Sequence, residues 1–312
     1  MTKHVEYITE GNFIADLGCG KGAPWWEIAP ASCTIDAYDF VPVVTRQPNI
    51  HFHRADVQFL YLRKDIFEKY DFAACDHVFE HVEKPEMLAA SLSHMIKLGG
   101  IVHVGIPDAS FFTDRFYRML LRGGGHVYKH TKDSFIKLAE QFGFLVLDVW
   151  EWLNDWKWLK FMSPDLVGMN DPEEIQFVAD VFTKELTPER GYYYGWGFIL
   201  KKDKHVNLEY LGIEFAVEAP TITKLHPNTA KLGKGFNVQP SGCSAISAEV
   251  QNVTYSTIML FDDMALESHF DGSNIVSALV PEELLIKAGR HEVCLYDHTT
   301  CLKSNTMSFE IC

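Results

Sequence analysis

Residues 14–22 read Ile-Ala-Asp-Leu-Gly-Cys-Gly-Lys-Gly, a short apolar run ending in a carboxylate and three spaced glycines. A strand that ends at Asp16 and turns through Gly18, Gly20 and Gly22 can bring backbone within contact distance of a ligand, because no Cβ intervenes. Taken alone, such a loop is an ordinary tight turn. Gly18-x-Gly20-x-x-Ala23 also fits the looser dinucleotide fingerprint, with Asp39 at about the spacing of a ribose-binding acid. Three features point elsewhere. Asp16 is a carboxylate where a dinucleotide site has an apolar residue, and Asp56 follows a third apolar run in Arg54-Ala-Asp56-Val57. Finally, Asp76-His77-Val-Phe-Glu80-His81 precedes Lys97-Leu-Gly99-Gly100.

Histidine is abundant, 14 in all, and an imidazole titrating near neutrality suits general-base work. His77 and His81 follow one strand candidate, His103 lies within another, and His126 and His130 stand in Gly123-Gly-Gly-His126-Val-Tyr-Lys-His130. His81 is the first candidate base, followed by His126 and His130; the alternative for His81 is a structural link beneath the glycine loop. The i, i+4 spacings of His77/His81 and His126/His130, near Asp76 and Glu80, are only suggestive of a metal. No metal ligands are assigned. Trp25, Trp26, Phe111, Phe112, Trp156 and Trp158 are either pocket walls or, more simply, core and lid residues.

These residues need a scaffold. From residue 12 to about 152, β-rich apolar runs alternate with helical stretches, which predicts a mainly parallel sheet with helices on both faces. The strand candidates are Asn12–Leu17, Thr34–Tyr38, Ile50–His53, Phe72–Cys75, Ile101–Ile106 and Phe144–Trp150. Pro85 opens a helix that Gly99-Gly100 should stop, and Thr131 caps another with Phe135, Leu138, Ala139 and Phe142 on one face. Residues 153–190 read as an insertion or lid with a helix over Pro172–Glu185, before a last antiparallel strand Tyr192–Leu200 beside Phe144–Trp150.

After Lys204 the texture changes to short runs between Gly, Pro, Asn and Asp turns: Gly235–Gln239, Ala245–Val250, Ser256–Phe261, Ile275–Val280, His291–Tyr296 and Thr306–Ile311. That predicts a small all-β sandwich over 205–312, after an α/β domain over 1–204. The 312 residues suffice for both, with 47% hydrophobic and 22% charged content. A net charge of −14 without a basic stripe disfavours nucleic acid as partner. No run approaches the ~20 apolar residues of a membrane span, no secretory leader opens the sequence, and the seven scattered cysteines lack a CxxC pair. The expected compartment is the cytoplasm.

In order and spacing, the five acid and glycine motifs of residues 12–150 resemble the class I S-adenosylmethionine-dependent methyltransferases, in the type 11 group. The resemblance implies a Rossmann-like fold with S-adenosylmethionine as cofactor. Asp16 and the loop Gly18-Cys19-Gly20 would hold its methionine part, Asp39 with Phe40 its ribose side, and Asp56 with Val57 its adenine. Asp76 would lie where methyl group and acceptor meet. Members of the family usually carry helices before the first strand that cover the substrate. Here that strand begins near Asn12, so cover is expected from Asp108–His130, from 153–190 or from another subunit. Residues 219–312 resemble the immunoglobulin-like IPT/TIG group, which implies contacts with protein or carbohydrate, or a prop for the first domain. The expected activity is methylation of a small polar acceptor, with a sugar or sugar-nucleotide hydroxyl favoured. The alternatives are a small amine acceptor and a non-catalytic binding protein.

Overall fold

A computed structural model describes residues 3–42, 47–120, 125–153, 171–187, 193–213, 218–270 and 272–312. Seven strands form the first sheet: β1 (Phe13–Leu17), β2 (Thr34–Asp39), β3 (Ile50–Arg54), β4 (Tyr70–Asp76), β5 (Ile96–Pro107), β6 (Phe144–Leu153) and β7 (Tyr193–Lys202). Their order is β3-β2-β1-β4-β5-β7-β6. β1 to β5 are parallel, and β7 runs antiparallel between β5 and β6. The order reverses between β1 and β4, so a crevice opens beyond their carboxyl ends, where ligands bind in open α/β sheets.

Strand alternation splits the core in two. Ala15, Leu17, Ala73, Cys75, Val102 and Val104 face one side, under α1 (Pro85–Met95) and α3 (Lys132–Gln141). Ile14, Ile35, Ala37, Phe72 and Ala74 face the other, under Trp25, Trp26 and a 3-10 turn over Lys3–Tyr7. Thr131 caps α3 through a reciprocal pair with Ser134, as its residue type predicts. α1 stops at Met95 rather than at Gly99-Gly100, because Ile96 is already extended and pairs with Tyr70. The reading missed α2 (Phe112–Leu120) altogether, whereas α4 (Pro172–Glu185) falls where expected. Trp156, Trp158 and the start of the last strand at Tyr192 lie outside the described residues. No helix among the described residues is long and apolar enough to cross a membrane.

The C-terminal domain consists of two sheets. One is β13 (Glu267–Phe270), β14 (Ile275–Val280), β10 (Ser244–Gln251) and β8 (Thr221–His226) in that order. The other is β12 (Met264–Ala265), β11 (Thr257–Phe261), β15 (Gly289–Asp297), β17 (Met307–Ile311) and β9 (Thr229–Ala230), with β16 (Leu302–Lys303) on β15. Both sheets contribute to a single core, Ile246, Val276 and Val280 from one and Phe261, Leu295 and Phe309 from the other. The expected strand at Gly235–Gln239 is absent. That stretch bends at Asn237, which is at positive φ, and this breaks extended pairing. Val206, Leu208, Leu211 and Ile213 pack with the first domain's core.

β5 and β7 are pressed closely together at Gly195. A Cβ on Gly195 would come within 1.9 Å of the Ile106 carbonyl oxygen. Gly195→Ala should therefore cost about 3 kcal/mol, against about 1 kcal/mol for Thr131→Ala, which removes only a cap. Denaturant midpoints in that order support the register; a Gly195→Ala protein as stable as wild type would refute it.

Candidate active site

The glycine loop leaves β1 with Gly18 and Gly20 at φ of 68° and 55°, where L side chains are strained. Gly18 is also pressed against Val78: an added Cβ would sit 2.5 Å from its Cγ2. The Gly18 N–H donates to the Tyr38 carbonyl at 2.8 Å, and the Gly20 N–H donates to Asp39 Oδ2 at 2.8 Å. Asp39 Oδ1 accepts from the Val41 N–H at 2.9 Å. Two oxygens offer about four acceptor positions, so the buried Asp39 keeps capacity for ligand hydroxyls. Asp16, buried beneath the loop, accepts from Trp26 Nε1 at 2.7 Å. Burial, outweighing that bond and reinforced by Asp76 and Asp39, pushes its carboxyl up to about 8. A buried acid without a cation is what a ligand bearing positive charge would relieve, and this fits the sulfonium and ammonium of the implied cofactor. Cys19 is buried beside it, its thiol pushed up by desolvation.

Asp56 caps a 3-10 turn over Val57–Leu62, accepting from the Gln58 N–H at 3.0 Å and from Gln58 Nε2 at 3.3 Å. Burial pushes this carboxyl up to about 6, against the hydrogen bonds from Gln58 and from the backbone at Tyr255. Its own N–H donates to Thr299 Oγ1 at 2.8 Å. Val57 is buried next to it, while Phe40 stands half exposed at the end of β2, 5.8 Å from the Tyr255 ring. The two partners from the C-terminal domain were invisible in the sequence, since nothing local links residues so far apart.

At the ends of β4 and β5, Asp76 Oδ1 lies 2.6 Å from His103 Nε2. His103 is stacked between His4, at 4.1 Å between ring centroids, and Trp150, at 5.6 Å. Desolvation would raise Asp76, but the His103 contact outweighs it and holds the carboxyl below its usual value. Burial, then the neighbouring His103, pushes His4 down to about 4, so it is neutral at physiological pH. Gly105 on β5 makes room for Asp76: a Cβ there would meet Oδ1 at 2.6 Å. His77 follows at φ 55°, a strained position for a side-chain-bearing residue, and its Nδ1 lies 3.0 Å from Glu80 Oε1.

Two of the three candidate bases come together. His81 and His126 meet edge to face at 5.1 Å, with His81 exposed and His126 buried. His126 Nδ1 is 2.7 Å from Asp114 Oδ1 on α2, and His81 Nδ1 contacts the Gly125 carbonyl. His130 instead packs among Phe79, Tyr128 and Phe135, and burial pushes its imidazole down. Asp114 and His4 were missed in the sequence, because each acts through a partner far along the chain. Two groups bring three potential metal-ligand atoms within 4.8 Å of one another: His4, Asp76 and His103, and Glu80, His81 and His126.

The Asp16 environment makes a pH prediction. Its folded-state value of about 8 exceeds the ordinary 3.8, so it contributes stability below pH 4 that is lost as pH rises toward 8. Without ligand, Asp16→Asn should lose less stability than wild type between pH 5 and about 8.5, measured by urea midpoints. Equal losses would show that Asp16 is not held protonated.

Residues 6–149 match the profile of a methyltransferase-domain family. The chain is 23% identical over 148 residues to the ubiquinone biosynthesis O-methyltransferase of Escherichia coli, covering 43% of this chain and 60% of that one. It is 27% identical over 160 residues to the enzyme of that name in Xylella fastidiosa, covering 45% and 63%. A malonyl-[acyl-carrier protein] O-methyltransferase of Halalkalibacterium halodurans is 27% identical over 146 residues, with 44% and 48% covered. The match thus spans less than two thirds of each relative's length. A solved S-adenosylmethionine-dependent methyltransferase from Mesorhizobium loti aligns with 62% of this chain and 91% of its own, at 17% identity and a TM-score of 0.41. The glycine loop, the strand-end acids and the family match converge on one reading: residues 6–149 form a methyltransferase domain of the kind that uses S-adenosylmethionine.

Proposed function

We propose that this protein methylates a small polar acceptor, and that the acceptor is an anionic molecule with a reactive hydroxyl, such as a sugar nucleotide. The observation that carries the proposal is a recess of about 580 Å³ lined by Arg115, Arg118, Met119, His126, Val127 and Lys129. In a chain of net charge −14, it gathers three cations around one imidazole. Arg118 Nη1 is buried without a hydrogen-bond partner, a donor suited to a phosphate or carboxylate. The O-methyltransferase names of the relatives agree with an oxygen acceptor.

When bound, S-adenosylmethionine supplies an activated methyl group that leaves a sulfonium in an in-line displacement. The protein has to align the acceptor and exclude water, and positioning of this kind supplies much of the rate. Asp16 and the glycine loop would hold the methionine end, Asp39 the ribose, and Asp56 the adenine. Asp76, fixed by His103, faces the point of transfer. His126, oriented by the buried Asp114 at Nδ1, takes the hydroxyl proton at Nε2, with the exposed His81 ring packed against it. We read the C-terminal domain as immunoglobulin-like, supported by its two sheets around one core and the turns between them. We place the protein in the cytoplasm, supported by seven free cysteines among the described residues.

Isothermal titration should show micromolar binding of S-adenosylmethionine and its demethylated product, abolished by Asp39→Ala. His126→Ala should lower methyl transfer about 100-fold with cofactor affinity unchanged. Loss of both together would make His126 structural rather than catalytic. A radiolabelled-methyl screen across sugar nucleotides, cell-envelope glycans and small amines tests the acceptor. Label in sugar nucleotides, with KM raised by the Arg115→Ala/Lys129→Ala pair, supports the proposal, and label in amines alone sinks it.

A further inference from the structure

The ends of two C-terminal segments, 254–257 and 297–300, form a buried polar knot around Asp297. Asp297 Oδ2 accepts from Thr254 Oγ1 at 2.5 Å and Thr257 Oγ1 at 2.7 Å, and Oδ1 accepts from the Thr299 and Thr300 N–H groups at 3.0 and 2.8 Å. Ser256 Oγ and Thr299 Oγ1 are 2.6 Å apart. Thr254, Ser256, Thr257, Asp297 and Thr299 are all buried. A network this fully satisfied is rigid, and its outermost member, Thr299, is the group that accepts from the Asp56 N–H.

Tyr255 lies between two anchored residues of the knot, so its backbone is fixed. Its ring is flanked by Phe270 at 5.4 Å and by Phe40 at 5.8 Å, and its Oη leaves no room for a Cβ on Gly272, which would come within 2.7 Å. Phe40 is 50% exposed and Tyr255 37% exposed, although their rings meet. Phe40 directly follows Asp39, and the Tyr255 backbone donates to Asp56. Tyr255 of the second domain thus meets two residues of the first, Phe40 through its ring and Asp56 through its backbone, and Phe40 is the chain neighbour of Asp39.

Resting on the cofactor reading above, we propose that the C-terminal domain closes the adenine end of the cofactor site, with Tyr255 as a cofactor-binding residue. The purine lies against Tyr255 and Phe40, and the knot around Asp297 fixes both Tyr255 and the Asp56 loop. The second domain is then a working part of the methyl-donor site.

The test is titration calorimetry of the full chain with S-adenosylhomocysteine, together with hydrogen exchange of the wild type with and without that ligand. Tyr255→Ala should weaken binding about tenfold, as loss of one base-stacking aromatic does. Tyr255→Phe should stay within about twofold, because the ring remains. Ligand should slow exchange at the amides of 254–257. If wild type binds and Asp39→Ala abolishes binding, while Tyr255→Ala binds normally and those amides gain no protection, the inference is overturned and the cofactor reading stands. Absence of binding by wild type overturns both. Should Tyr255→Ala fail to fold, the exchange result on wild type decides.

Discussion

The hydrogen bond from the Gly20 N–H to the Asp39 carboxylate, 2.8 Å long, joins the two loops on which the site depends. β1 and β2 are already parallel neighbours, but strand pairing ends at Leu17 and Tyr38. Beyond that point the Gly18 and Cys19 N–H groups still bond the Tyr38 carbonyl, and a side chain takes over at Gly20. Asp39 does this by bonding the loop and its own turn at once. An acid so placed is both a structural clamp and, by its remaining lone pairs, a receptor for hydroxyls. Its neighbour Asp16 carries the opposite burden. Buried and without a cation, it is destabilising when charged, so ligand binding and local electrostatics are coupled.

The other end of the crevice is governed by close packing of β5 against β4 and β7. Glycines at 105 and 195 exist because Asp76 and the Ile106 carbonyl occupy the space a Cβ would need. That closeness sets Asp76 against His103 and seals the pair behind His4 and Trp150. The 3-10 turn over Lys3–Tyr7 covers this face by inserting one imidazole. On α2, Asp114 and Arg118 reach His126 and the charged recess.

Among the described residues, the C-terminal domain meets the first through hydrogen bonds and the Phe40–Tyr255 ring contact. Thr299 and the backbone at Tyr255 bracket Asp56. Such contacts are directional, so the polar knot around Asp297 fixes geometry as well as adhesion.

The sequence by itself determined the strand and helix types, the glycine loop and the chemistry of the strand-end acids. These follow from periodicity, caps and residue types within short windows, as the Thr131 cap and the Pro172–Glu185 helix show. It could not show that His4 stacks on His103, that Asp114 orients His126, or that His130 is packed among aromatics rather than joined to His81. Nor could it show that Thr299 reaches Asp56 across 243 positions. Helical and strand periods carry information over a few residues, whereas these contacts arise only when separate elements pack face to face. The glycine loop and its neighbouring acids were therefore legible in the sequence, while the groups packed around them were decided by tertiary structure.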